Sequence, residues 1–173
     1  EDMVMAKQTH TTNVRLVTEE DRGKGVVRER DYTDVDGLIT NIPGICLVTS
    51  YADCVPLYFV DPVHHAIGLS HSGWRGTVGK IGKHTVEMMK EAFGSRPEDL
   101  LAAVGPSVCM DCYEVSEDVI DQFKEVFDES LWKELFYRKE NGKYQLSLWK
   151  ANEFIFKESG ILPEHMAITN VCT

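Results

Sequence analysis

The sequence predicts a mixed α+β fold, and three observations carry that expectation. Short apolar runs rich in Val, Ile, Leu, Tyr and Phe crowd residues 44–69, and after Gly76 the apolar spacing changes to three or four residues. Strands also arrive in runs instead of alternating one by one with helices, which favours mixed β-sheets with helices packed outside over a doubly wound parallel sheet. A chain of 173 residues suits one domain, residues 1–173. At that length roughly 70% of the unfolded surface is buried, so no disulfide or metal is needed merely to fold.

Residues 19–30, EEDRGKGVVRER, hold eight charged residues and two glycines and read as a solvated loop or hairpin tip. Ile45 to Thr49, Pro56 to Val60 and Ala66 to Ser70 read as strands, with Asp61-Pro62 as a turn between the last two. Val78, Ile81, Thr85, Met88 or Met89, and Ala92 predict a helix that Gly94 can end. Leu100 to Val104 is a further strand, closed by Gly105-Pro106. Ser116 can cap a helix with Val119, Ile120, Phe123, Val126 and Phe127 as its apolar face. Asn141-Gly142 is a hairpin-turn signal before the alternating Tyr144, Leu146 and Leu148. A third helix over about 149–159 ends at Gly160, and Met166 to Val171 reads as a last strand.

Eighteen basic and 28 acidic residues give a formal net charge of −10, which argues against nucleic-acid polymers and anionic membranes as partners. No run approaches the roughly 18 apolar residues of a membrane span. Five cysteines is an odd number with no dense staple pattern, and Glu1-Asp2-Met3 carries no basic stretch of a signal peptide. A cytoplasmic setting, with cysteines that mostly pack as small hydrophobes, is the expectation.

Within this acidic chain, Pro62 to Val86 contains no Asp or Glu, where the overall composition would place about four. It carries Arg75, Lys80, Lys83 and four of the six histidines, His64, His65, His71 and His84. At its centre Ser70-His71-Ser72-Gly73-Trp74-Arg75-Gly76 joins a strand to a helix, where small residues and helix-start N–H groups suit an anion. A Gly-rich connector with a Trp plugging the core is the plainer reading. Asp53-Cys54 lies at a strand junction and fits a metal ligand with a partner carboxylate, a nucleophile with an orienting carboxylate, or a buried thiol beside a turn. Cys109-Met110-Asp111-Cys112 has metal or redox spacing, but with no second pair its cysteines are expected to pack in a turn, and His165 is expected at the surface.

Several segments together resemble the YfiH-type or laccase-domain family, once described as multicopper polyphenol oxidases and now as purine nucleoside phosphorylases. They are Gln8-Thr9-His10, Asp34 to Thr40, Ala52-Asp53-Cys54-Val55-Pro56, His71-Ser72-Gly73-Trp74-Arg75-Gly76, Gly105 to Val108, Cys112 to Val115 and Cys172-Thr173. The resemblance implies a layered α-β-β-α architecture and a zinc site made by His10, Cys54 and His71, residues whose spacings would not have exposed it. Two imidazoles and a thiolate suit zinc and leave a fourth position open. It further implies phosphorolysis of adenosine, inosine, guanosine and methylthioadenosine, together with adenosine deamination. In that frame Cys54, His71, Asp53 and Arg75 are the candidate catalytic residues, Asp53 orienting a ligand or moving a proton. Arg75, Ser72 and Gly76 would seat phosphate. The partners expected are purine nucleosides and phosphate, for a monomer or small homo-oligomer.

The family's chains extend further at both ends, so the expectation is a domain lacking both. Ser72 stands where Ala is usual, Val35 replaces a common Ala, and Cys109 falls where Gly is more frequent. Three other functions fit the residues less well. A cysteine hydrolase or deamidase would use Cys54 as nucleophile and His71 as base. A copper-dependent polyphenol oxidase needs more clustered ligands than six histidines offer. A non-catalytic interaction domain would turn over no nucleoside.

Overall fold

The computed structural model describes residues 1–173. The first forty residues make strands β1 (Met3–Met5), β2 (Val14–Leu16) and β3 (Gly37–Thr40). At three or four residues they are too short for a readable period, and β3 is buried along its whole length. After β4 (Cys46–Val48) come the two longest strands, β5 (Val55–Asp61) and β6 (Ala66–Ser72), joined through the expected turn.

Helices α1 (Trp74–Val78) and α2 (Ile81–Phe93) replace the single helix expected there. Lys80 sits between them in the left-handed region, φ 56°, which ends one helical path and starts another. Gly94, φ 77°, closes α2 as expected. The remaining elements are β7 (Leu101–Val104), β8 (Glu114–Val115), α3 (Glu117–Val126), α4 (Trp132–Leu135), β9 (Phe136–Arg138), β10 (Tyr144–Leu146), α5 (Leu148–Glu158) and β11 (Met166–Ile168). Ser116 stands at the N-cap of α3, but its hydroxyl turns to the Asp118 carboxylate instead of a backbone N–H.

The main sheet has six strands in the order β11-β7-β5-β6-β3-β2. Its outer pairs, β11 with β7 and β2 with β3, are parallel, while the three inner pairs are antiparallel. That is the mixed α+β architecture expected from the runs of strands. Val55, Leu57 and Phe59 of β5 point into the core, with Ile81 and Met89 of α2 and Ile155 and Phe156 of α5. Phe59 and Phe156 meet edge to face at 5.4 Å. Residues of the opposite parity, Tyr58, Val60 and Ile67, are exposed on the other face. β1 and β4 pair as a separate two-stranded sheet over a smaller cluster of Val4, Ala6, Val17, Val35, Leu38 and Ile45. No helix is long and apolar enough to cross a membrane.

Residues 19–30 are only in part the solvated loop expected: Glu19, Glu20 and residues 26–29 are exposed, while the middle turns inward. Asp21 is 1% exposed and Lys24 8%, and the Lys24 ammonium bridges Asp21 and Asp31 at 2.8 Å each. Arg15 adds a second bond to Asp21, at 2.9 Å. Opposite charges brought together by the turn satisfy one another and fold inward, an outcome that charge density alone does not reveal.

Candidate functional site

The buried, antiparallel pairing of β5 with β6 sets the frame. It places Pro56 opposite His71 and Val55 opposite Ser72, so the loop before β5 and the end of β6 meet at one end of the sheet. Cys54 lies on the first and His71 on the second. His10 arrives from the loop between β1 and β2, held in the left-handed region at φ 65°. The ligand atoms of His10, Cys54 and His71 all lie within 4.8 Å of one another, and Cys54 Sγ is 3.9 Å from His10 Nε2. Gly73 makes this convergence possible, because a Cβ there would stand 3.0 Å from both Cys54 Sγ and His10 Cδ2.

Asp36, fully buried, organises two of the three donors. Its carboxylate accepts the backbone N–H groups of Thr9 (3.1 Å), His10 (3.0 Å) and Thr11 (2.8 Å), which fixes the strained turn carrying His10. It also accepts the Thr11 hydroxyl at 2.8 Å and the His71 Nδ1–H at 2.8 Å. With Nδ1 committed to Asp36, the Nε2 of His71 faces Cys54 and His10, the arrangement by which carboxylates orient metal-binding imidazoles. Burial alone would raise the Asp36 carboxyl, but the His71, Thr11 and Thr9 donors hold it at about 2. Burial alone would lower His71, but Asp36 and the Cys54 sulfur raise it to about 9 in the metal-free chain. Gln8 ties the same loop to the Cys54 side, its side chain bonding both the N–H and the carbonyl of Ser50 at 2.7 Å.

The three donors border a cleft of about 610 Å³, a size that admits a small organic molecule. Asp53, Tyr51, Lys7 and Arg30 also line it. Burial pushes the Tyr51 phenol well above its ordinary range. Asp53 is exposed, and its carboxylate accepts the Thr173 hydroxyl at 3.3 Å.

The acid-free window is less of a positive island than its sequence suggests. Lys80 and Lys83 both reach Glu158 of α5, at 2.7 and 3.0 Å, while His64 pairs with Asp61 and His71 with Asp36. Arg75 is the one Lys or Arg of the window with no carboxylate partner. It is exposed, lies outside the walls of the cleft, and stacks its guanidinium 4.3 Å over the Trp74 ring. Burial pushes the Tyr113 phenol up to about 12. Ser72 is buried, with its hydroxyl bound to Thr77 at 2.9 Å and Asn152 at 3.1 Å, and Gly76 is buried as well. Ser72 and Gly76 flank Gly73-Trp74-Arg75 in the turn from β6 into α1.

Asp36, just before β3, is not singled out as a site residue in the sequence, because nothing local separates it from Asp31 and Asp34 nearby. Lys7, Arg30 and Tyr51 carry no mark either. The cysteines also differ from expectation: Cys46, Cys112 and Cys172 are exposed and Cys54 and Cys109 half-buried, so none is a core thiol. His165 is half-buried beside β11 instead of lying fully at the surface.

The fold and these donors define a class, mixed-sheet proteins with a His/Cys three-donor site beside a cleft. Comparison with known sequences makes the assignment particular: the chain belongs to the family described as multi-copper polyphenol oxidoreductase laccase, whose model matches residues 1–173. It is 38% identical over 175 residues to purine nucleoside phosphorylase YlmD of Bacillus subtilis (strain 168), covering 98% of this chain and 61% of that protein. It is 34% identical over 174 residues to adenosine deaminase RL5 of an unknown prokaryotic organism, covering 100% of this chain and 66% of the relative. Among solved structures, the hypothetical protein YfiH of Bacillus licheniformis superposes with a TM-score of 0.93 at 34% identity, over 99% of this chain and 64% of that one. The chain thus spans less than two thirds of the length of these relatives.

Proposed function

We propose that this chain carries the metal-dependent centre of a purine nucleoside phosphorylase that also deaminates adenosine. The observation that carries the reading is the meeting of His10, Cys54 and His71 at a cleft able to admit a nucleoside. Relatives named as purine nucleoside phosphorylases and as an adenosine deaminase point the same way. The substrates are adenosine, inosine, guanosine and methylthioadenosine, with phosphate, and the free cysteines suit a reducing, cytoplasmic setting.

The donor set fits zinc, since one thiolate and two imidazoles are a borderline-soft trio. Such an ion, with a fourth position open, supplies a Lewis acid and lowers the pKa of water. The chain's own residues do the rest. Asp36 keeps the proton on Nδ1 of His71 and so keeps Nε2 free; Asp53 stands at the cleft wall, placed to orient a ligand or move a proton; Arg75 offers an unpaired fork for phosphate. Copper, which the family description names, is the alternative ion. It predicts phenol oxidation that zinc would not support.

The test incubates the zinc-loaded chain with adenosine, with and without phosphate, and identifies the products. Adenine with a pentose 1-phosphate supports phosphorolysis, and inosine supports deamination. No turnover of any purine nucleoside overturns the proposal for this chain. Arg75→Ala is expected to raise the phosphate requirement by at least about tenfold while deamination falls less than about twofold. Equal loss of both activities would refute separate roles. Cys54 as nucleophile with His71 as base is the second reading, their reactive atoms lying within 4.8 Å of each other. Rapid alkylation of Cys54 in protein that retains no metal would favour that reading.

A further inference from the structure

A second group of sulfurs lies apart from the centre described above and shares no residue with it. The Sγ atoms of Cys109, Cys112 and Cys172 all lie within 4.8 Å of one another, and all three thiols are free. Cys109 and Cys112 bracket a single 3₁₀ turn, Met110–Cys112, in which the Cys112 N–H donates to the Cys109 carbonyl at 3.2 Å. Cys172 comes from the far end of the chain. Ser107 N–H donates to the Val171 carbonyl at 3.1 Å, and Thr173 N–H to the Ser107 carbonyl at 3.4 Å, which lays residues 171–173 along the segment leading to Cys109. The Cys109 N–H then donates to Cys172 Sγ at 3.3 Å.

From this juxtaposition we infer that Cys109, Cys112 and Cys172 form a three-thiolate site for a thiophilic closed-shell metal ion, with zinc as the expected occupant. A C-x₂-C turn joined by a distant third cysteine is the donor pattern of thiolate metal sites, and thiolates select soft or borderline ions. Sulfurs bound to one ion at about 2.3 Å lie nearly 4 Å apart, inside the spacing seen here. A disulfide would join two sulfurs and leave the third without a role.

Binding replaces thiol protons by the ion, one proton leaving to solvent for each thiol that was protonated, and no electrons move. The consequence is mechanical. Val108 N–H donates to the Asp53 carbonyl at 3.0 Å, and the Thr173 hydroxyl reaches the Asp53 carboxylate. An ion at this site would therefore staple the 171–173 segment to the turn that supports the Cys54 loop.

The test uses the full 173-residue chain, reduced and stripped by a chelator, and titrates it with Cd²⁺ while following sulfur-to-metal charge-transfer absorption. Two ions per chain are expected in the parent. In Cys54→Ser one ion should persist with the intensity of three thiolates, and Zn²⁺ should displace it. Adding Cys109→Ser or Cys172→Ser to that variant is expected to weaken it by more than about tenfold; both positions lie outside the core, and circular dichroism checks that the fold is kept. The inference is overturned if Cys54→Ser shows no charge-transfer band, or if the band is indifferent to Cys109 and Cys172. It is overturned equally if the chain isolated without added reductant is two hydrogens short, the mark of a disulfide.

Discussion

Replacing Asp36 by Asn changes one atom of the molecule and removes a charge, yet the structure predicts two separate losses. The carboxylate accepts five hydrogen bonds: three backbone N–H groups, the Thr11 hydroxyl and His71 Nδ1–H. An amide has one carbonyl oxygen. If that oxygen keeps the place of Oδ1, it can still accept from His10 N–H and His71 Nδ1–H. The NH₂ group then confronts the N–H groups of Thr9 and Thr11, donor against donor; the Thr11 hydroxyl alone can turn and accept. Two stranded donors at about 1–2 kcal/mol each, in a partly buried site, amount to roughly 2–4 kcal/mol of folding stability. If the amide flips, the conflict moves to His10 and His71 and the count stays similar. In the same variant His71 loses the negative partner that orients its ring, and metal affinity should fall roughly 10- to 100-fold. Urea unfolding of the metal-free protein measures the first loss, and competition for Zn²⁺ against a chromophoric chelator measures the second. Unfolding within about 0.5 kcal/mol of the parent, together with zinc affinity within about twofold, would refute the role given to Asp36.

Two further outcomes follow from the same structure. In the metal-free protein His71 is raised from 6.5 to about 9, so its contribution to stability is fully present below 6.5 and is lost as pH rises through about 9. Asp36 is lowered from 3.8 to about 2, so its contribution is present above 3.8 and is lost as pH falls through about 2. The urea midpoint should therefore plateau between about pH 3.8 and 6.5, and His71→Gln should flatten the alkaline side; a parent midpoint that is level from pH 6.5 to 9 contradicts the pairing. Phe156→Ala, at a fully buried side chain set against Phe59, should cost about 3–5 kcal/mol, while Val27→Ala at a 61% exposed position should cost under about 0.5 kcal/mol. Comparable losses from the two in chemical denaturation would contradict the placement of the core.

The chain's local chemistry determined the elements that carry a period or a stop signal. Val55, Leu57 and Phe59 alternate inward as a half-buried strand must, α3 shows its apolar stripe, and Gly94 ends α2 because it alone takes a left-handed φ there without strain. The motifs around His10, Cys54 and His71 marked these residues by resemblance, because residues 44 and 17 positions apart have no local reason to meet. Tertiary structure decided the rest, and it did so through pairing. The register of β5 against β6 brought Cys54 beside His71. A buried carboxylate, Asp36, bound the loop carrying His10 to His71 at the end of β6. Glu158 claimed the lysines that had suggested a broad anion site, and a tail hydrogen-bonded along residues 107–109 delivered Cys172 to a C-x₂-C turn that had seemed incidental. Local sequence encodes how a segment bends and which face it hides; which charges neutralise one another, and which sulfurs share a corner, depends on distances that only the folded chain sets.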